Sequence, residues 1–244
     1  MTRAGAADDT GVERILVITA HPDDVDFGVA GSVAAWTAAG ITVTYCIVTD
    51  GDAGGSDRTL PRPEMARIRR AEQTAAAAVV GVTDLRFLGY QDGRVEPTLD
   101  LRRDLSRVIR QVCPQRVVTQ SPDRNWDRIY ASHPDHLAVG AAAVAAVYPD
   151  ARNPFAHPEL LHDEALEPWS VPELWLMAHP GGDVYVETTA TIDKKVAALL
   201  CHASQLPEPS RMDEMMRGWA AVNAAAAGLA EGRLAEMFKA VDTR

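Results

Sequence analysis

The sequence predicts an α/β fold: a single-domain, Rossmann-like, mostly parallel sheet with helices on both faces and its active site at the C-terminal ends of the strands. Three observations predict it. Apolar runs alternate four times with stretches of helical spacing, the rhythm of parallel strands joined by crossover helices. Each run empties into a polar loop, and ligands of open α/β sheets bind outside the carboxyl ends of the strands. The 244 residues suit one domain with a sizeable core, without internal repeats or a second-domain boundary. We expect a disordered arm over residues 1–12 and a single domain over 13–244.

The first strand, residues 15–19, is a branched apolar run suited to a pleat covered on both faces. His21-Pro22-Asp23-Asp24 occupies the turn after it, and helical spacing follows with Phe27, Val29, Ala30, Val33, Ala34 and Trp36, ending at Gly40. A second strand over 41–48, with Val43, Tyr45 and Ile47 alternating, runs into Thr49-Asp50-Gly51-Asp52-Ala53-Gly54-Gly55. Three glycines there suggest phosphate binding, but two acids stand among them and no Lys-Ser/Thr follows, so a P-loop is rejected. A long helix is expected from Pro61 or Pro63 to Gly81. A third strand over 85–88 leads to the acidic turn 89–93, a helix over 99–112 is closed by Pro114, and a fourth strand over 116–120 opens into the loop 121–132.

Ser132-His133-Pro134-Asp135-His136 comes next, immediately before an alanine- and valine-rich helix over 137–147. Five prolines between 149 and 172 predict irregular surface, which with 121–132 should form the substrate rim. Short strands over 173–178 and 184–186 follow, then helices over 192–204 and 213–239. The last carries Met212, Met215, Met216, Trp219, Val222 and Leu229 at helical spacing, a stripe that reads as core or subunit contact.

Composition narrows the partners. A net charge of −10 argues against nucleic acid, which requires basic surface. No apolar run reaches the roughly 18 residues needed to span a bilayer, and the polar N-terminus lacks the apolar centre of a secretory signal. Cys46, Cys113 and Cys201 are widely spaced beside apolar residues and read as buried thiols. A cytoplasmic enzyme with a small-molecule partner fits these facts. Self-association into a homo-oligomer stays open.

The chemistry resides in two clusters. His21 and Asp24 are three apart at the first strand end, and His133 and His136 are three apart at the fourth. Imidazole nitrogen and carboxylate oxygen suit Zn²⁺, and three protein ligands leave a coordination position for water, the mark of a catalytic site. His157-Pro158 and His179-Pro180 show that the His-Pro dipeptide recurs without acidic followers. Two acid-bearing copies at strand-to-helix turns are harder to dismiss as caps.

Ala20-His21-Pro22-Asp23-Asp24, with His133-Pro134-Asp135-His136, resembles the PIG-L/LmbE-like superfamily of zinc-dependent N-deacetylases, the GlcNAc-PI de-N-acetylase and mycothiol-type deacetylase family. The resemblance runs from about residue 13 to 205 and takes in Ile68-Arg69-Arg70-Ala71-Glu72, Asp92-Gly93, Ile192-Asp193-Lys194-Lys195 and His202. It implies removal of an N-acetyl group from an N-acetylglucosamine-type amino sugar or glycoconjugate, with release of acetate. It implies His21, Asp24 and His136 as ligands of Zn²⁺, for which Fe²⁺, Co²⁺ or Mn²⁺ could substitute. Asp23 would be the general base, and His133 would stabilise the oxyanion and protonate the leaving amine. Asp135 would hold His133 and raise its pKa. Arg69 and Asp92 would touch the sugar. Relatives carry a mobile tyrosine two residues before the second motif's first histidine; here that position is Ala131, and Tyr130 is one residue further away.

The residues agree physically with those roles. Zinc lowers the pKa of its water to about 7, within reach of a carboxylate base, and a protonated imidazole can stabilise a tetrahedral oxyanion. Three other readings compete. A non-haem Fe(II) oxygenase also uses two histidines and a carboxylate, but on all-β jelly rolls. A non-catalytic metal-site binder would not need Asp23 and His133. An amidase cleaving a larger N-acyl or thiol-conjugate amide differs only in the width of its pocket.

Overall fold

The computed structural model describes residues 5–244. Eight strands form one sheet: β1 (Gly5–Ala6), β2 (Arg14–Thr19), β3 (Thr42–Thr49), β4 (Asp84–Tyr90), β5 (Arg116–Gln120), β6 (Glu173–Met177), β7 (Val184–Glu187) and β8 (Ala235–Asp242). Their order is β1-β7-β8-β6-β5-β2-β3-β4. The pairings of β2 with β3 and β5, β3 with β4, β5 with β6 and β1 with β7 are parallel. Only β8 runs antiparallel to its neighbours, β6 and β7. From β2 the chain moves outward to β3 and β4, then returns to build β5 and β6 on the other side. Strand order therefore reverses between β2 and β5, and a crevice opens at such a switch point. The two His-Pro-Asp motifs leave those two strands.

The helices are α1 (Asp24–Gly28), α2 (Ala30–Ala38), α3 (Arg62–Val79), α4 (Leu99–Val112), α5 (Pro134–Ala145), α6 (Pro158–His162), α7 (Ile192–Leu200) and α8 (Met212–Ala226). Side chains alternate across a strand, and β2 buries both sets. Ile15 and Val17 join Val33, Trp36, Ala76 and Ala77 of α2 and α3 in one core. Leu16 and Ile18 join Leu105, Ile109, Val139 and Ala142 of α4 and α5 in the other. Burying each large apolar side chain contributes about 1.5–3 kcal/mol, so β2 is a firm base for the turn it carries. Among the described residues no helix is long and apolar enough to cross a membrane.

Several expectations are corrected. The helix expected over 27–40 is interrupted at Val29, whose φ of −142° separates α1 from α2. Glu236, from the far end of the chain, accepts from the backbone N–H groups of Gly31 at 3.1 Å and Ser32 at 2.7 Å. The start of α2 is thus capped across more than 200 residues of sequence. The helix expected over 213–239 stops at Ala226, and residues 235–242 form β8 instead. Gly228 and Gly232, at φ values of 72° and 81°, turn the chain out of the helix. Pairing with β6 and β7 then overrides a locally helix-friendly composition. The expected helix over 192–204 ends at Leu200, leaving His202 in the turn that follows.

Residues 149–172 are not irregular surface throughout. They contain α6, bury Leu160 and Val171, and are tied to α4 by Arg110, whose guanidinium donates to the carbonyls of Ala151 and Asn153. The arm expected over 1–12 lies partly outside the described residues. From residue 5 it is attached: Gly5–Ala6 pairs with β7, and buried Arg116 bonds the Asp9 carboxylate at 2.6 Å. All three cysteines are free, but only Cys46 is fully buried.

Candidate active site

The turn after β2 places Asp23 in the left-handed region, φ 92°, a conformation that costs a non-glycine residue free energy and recurs at functional sites. Gln73 on α3 fixes it, its Oε1 accepting the Asp23 N–H at 2.8 Å. Gln73 in turn donates through Nε2 to Asp26 at 2.9 Å, and the same Asp26 oxygen lies 2.8 Å from His202 Nε2. Sequence reading gave Gln73 and Asp26 no part in the site. The signal was available: Met65, Arg69, Gln73 and Ala76 recur on the buried stripe of α3, where two long polar residues require partners.

After β5 the second motif starts α5 at Pro134, three residues earlier than expected, with His133 as its N-cap. Gly140 lets α5 lie against β5, because a Cβ there would collide with the Gln120 carbonyl oxygen. His21, Asp24 and His136 thereby converge. His21 Nδ1 is 3.3 Å from His136 Nε2 and 3.3 Å from Asp24 Oδ2, and His136 Nε2 is 3.0 Å from Asp24 Oδ1.

The outer nitrogens explain what faces inward. His136 Nδ1 lies 3.3 Å from the Ala131 carbonyl, and His21 Nε2 lies 3.1 Å from both Asp135 and Asp92. With their protons on those outer nitrogens, both rings turn lone pairs towards the Asp24 carboxylate. Such a cluster of acceptors calls for a cation. Ligands about 2.0–2.1 Å from a tetrahedral ion stand about 3.3 Å apart, so the donor spacing suits one.

The charges point the same way. Burial pulls the His21 pKa down, but the Asp24 charge and hydrogen bonds to Asp135, Asp24 and Asp92 outweigh it and push it up to about 12, so the carboxylates favour positive charge at the place the inward nitrogen faces. Burial likewise opposes ionisation of Asp24, yet His136 and His21 hold its carboxyl well below the usual range. His133 brings a third nitrogen, and those of His21, His133 and His136 lie within 4.8 Å of one another. Its Nδ1, however, accepts the Asp135 backbone N–H at 3.2 Å, which leaves the proton of the neutral ring on Nε2.

The contacts of Asp135, His133 and Asp92 differ from those expected. The Asp135 carboxylate holds His21, with its oxygens also accepting from the N–H groups of Gly93 at 2.7 Å and Val95 at 3.2 Å; only its backbone meets His133. The Asp135 charge does pull the His133 pKa up, but burial first and then the charges of His21 and His136 outweigh it and lower the pKa. Asp92 is turned inward as well, one oxygen on His21 and the other accepting from Ala53 N–H at 3.0 Å.

Arg69 is turned inward. It is buried, donates to the carbonyls of Pro22 and of Gly51, and sits 3.1 Å from Asp23. Glycine is required at 51 and 54 because a Cβ at either would strike the Arg69 guanidinium, which gives the glycine-rich loop a reason unrelated to phosphate. Glu72, one helical turn on, accepts from the Ser204 N–H and hydroxyl. Burial pushes the Asp23 carboxyl up to about 6, with Arg69 opposing and Asp24 adding to the rise. Tyr130, 88% exposed, stands at the mouth of a cavity that reaches Asp24 and His136.

Comparison with known proteins agrees with this arrangement. Residues 16–147 match the family model for PIG-L, GlcNAc-PI de-N-acetylase. A diacetylchitobiose deacetylase of Thermococcus kodakarensis is 29% identical over 197 residues, covering 81% of this chain and 72% of that protein. A probable N-acetyl-alpha-D-glucosaminyl L-malate deacetylase 2 of Bacillus cereus is 31% identical over 197 residues, covering 79% of this chain and 83% of its own. The solved N,N'-diacetylchitobiose deacetylase of Pyrococcus horikoshii, in complex with an inhibitor, superposes with a TM-score of 0.88 at 27% identity, covering 96% of this chain and 86% of that one. With both motifs inside the matched segment and the fold shared along nearly its whole length, this chain belongs to the PIG-L family of de-N-acetylases.

Proposed function

We propose that this protein is a zinc-dependent N-deacetylase that removes the acetyl group from an N-acetylglucosamine-type amino sugar. One observation carries the reading: the inward-facing nitrogens of His21 and His136 stand 3.3 Å apart and each lies 3.0–3.3 Å from one oxygen of Asp24, with the Asp23 carboxylate and the His133 imidazole beside them. The relatives named above act on amino sugars of this type by their names.

His21, Asp24 and His136 would hold the ion, which supplies an acidified water and a positive charge for the carbonyl oxygen. Asp23 takes the proton of the attacking water. Its carboxyl, pushed up to about 6, is matched to work near neutral pH, and Arg69 holds it in place. His133 donates a hydrogen bond from Nε2–H to the oxygen that becomes negative, and the proton that Asp23 took from the water passes on to the departing nitrogen. Water adds to the carbonyl carbon, the C–N bond breaks, and acetate and a free amine leave. Asp92, Asp135 and Arg69 act behind these groups, and Tyr130 meets substrate at the rim. The three free thiols suit a reducing, cytoplasmic setting.

Metal analysis of the purified protein, followed by acetate release from a panel of N-acetylglucosaminides, tests this. About one zinc per chain and stoichiometric acetate are expected. Full activity in chelator-treated, metal-free protein would overturn the metal reading, and no acetate from any member of the panel would overturn the substrate reading.

A further inference from the structure

The cavity beside the ligand set measures ≈ 390 Å³ and runs from Asp24 and His136 towards α8 and β8. Phe27, Met177, Met216, Trp219 and Met237 supply its apolar walls. Gln120, Arg128 and Asn223 also line it. Methionines adapt their shape to varied apolar guests. Of the charged groups that line it, Lys195 Nζ meets Glu236 Oε1 at 2.5 Å and the Phe27 carbonyl at 2.8 Å, and the Arg128 guanidinium lies 4.4 Å over the Trp219 ring. An apolar cleft of this size with few polar groups is the ordinary form of a small-molecule subsite. The methyl of an acetyl group would leave most of it empty.

The chemistry decides which part of a substrate enters. The oxygen of the scissile amide must face His133 and the departing nitrogen must face Asp23, and neither His133 nor Asp23 lines the cavity, whereas Asp24 and His136 do. The other substituent on the carbonyl carbon therefore leaves the ligand set on the side away from His133, into the cavity. Resting on the deacylation reading above, we propose that this cavity is an acyl subsite, and that the enzyme hydrolyses amino-sugar amides bearing medium-length apolar acyl chains in preference to acetyl. The reaction balances as before: water is consumed, the C–N bond breaks, the amine takes the proton, and a longer carboxylate is released.

The test compares kcat/KM for N-acetyl-, N-butanoyl- and N-hexanoyl-glucosamine in zinc-loaded enzyme, with octyl N-acetylglucosaminide as the control carrying its chain on the aglycone. Each newly buried methylene is worth roughly a factor of four, so butanoyl should exceed acetyl by on the order of tenfold. Ala220→Phe, which fills the cavity from α8, should pull the hexanoyl-to-acetyl ratio towards one. Trp219→Ala removes a wall residue that is 39% exposed, outside the core, and should lower the same ratio. Acetate release with no gain for longer acyl groups would overturn the acyl subsite while leaving the deacetylase reading intact. A gain confined to the octyl glycoside would overturn it too, because the chain would then enter from the aglycone side. No carboxylate from any of the four would overturn both.

Discussion

Asp135 of the second motif holds His21 of the first, 3.1 Å from the ring nitrogen that faces away from the ligand set. The two motifs are separated by more than 110 residues, and they are joined because β2 and β5 are neighbours in register, Ile15 beside Arg116 and Ile18 beside Thr119. Asp135 also accepts the N–H groups of Gly93 and Val95, so the loop after β4 is fixed by the same carboxylate.

Asp135→Asn should therefore weaken metal binding with the three ligands untouched. The amide presents one acceptor oxygen where the carboxylate presents two, and it no longer favours the His21 tautomer that turns Nδ1 inward. Outer partners of metal-bound histidines are worth about 10–100-fold in affinity. Competition against a chromogenic chelator measures it, and an affinity equal to the parent's would show that Asp135 does not orient His21.

Arg69→Lys distinguishes positioning from sugar contact. A guanidinium forks to Pro22, Gly51 and Asp23 together, whereas an ammonium on the same stem is a single point charge. Misplacing the base by about 1 Å costs on the order of 10² in rate. The loss should fall on kcat, with KM nearly unchanged. A KM rise at constant kcat would instead make Arg69 a substrate ligand.

The parallel part of the sheet was legible because its strands and helices carry unbroken periodicity. The helix over 99–112 and the strand over 116–120 occur where the pattern put them. That the two motifs meet followed from placing both at strand ends, whereas the choice of His21, Asp24 and His136 within them came from the resemblance. What escaped reading depends on contacts distant in sequence. Glu236 caps α2 from a strand whose local composition favours helix. The inward turn of Asp92 and Arg69 depends on which loops meet at the switch point, and spacing along the chain carries no record of that.

Glu236→Ala should be strongly destabilising. Glu236 pairs with buried Lys195 at 2.5 Å and accepts from Gly31 N–H, Ser32 N–H and Ser32 Oγ. Its removal leaves a buried ammonium without its counter-ion and a helix start without its cap, a loss of about 3–5 kcal/mol. Glu236→Ala paired with Lys195→Met should recover much of this, because the stranded charge is then gone. Urea midpoints of the two variants check it. Equal loss in both would show that the cap, not the charge, dominates.

Asp23→Asn should trade activity for stability, because burial of one carboxyl governs both. Folding raises its pKa from the ordinary 3.8 to about 6, chiefly by burial. Below about 3.8 the group is protonated in both states, and burial imposes no penalty. As pH rises through about 6, the folded state must carry a carboxylate that it disfavours. Stability is lost over that window, by on the order of 3 kcal/mol. In chelator-treated protein, Asn at this position should therefore raise stability at about pH 8 and leave it nearly unchanged at about pH 4, the range that denaturant midpoints can follow. The zinc-loaded variant should keep its metal yet lose about 10²–10⁴ in kcat, since an amide cannot take the proton from water. The acid limb of kcat/KM near 6 should vanish with it. A stability gain equal at both pH values would trace the effect to packing, and near-normal turnover in metal-replete Asp23→Asn would remove Asp23 as the base.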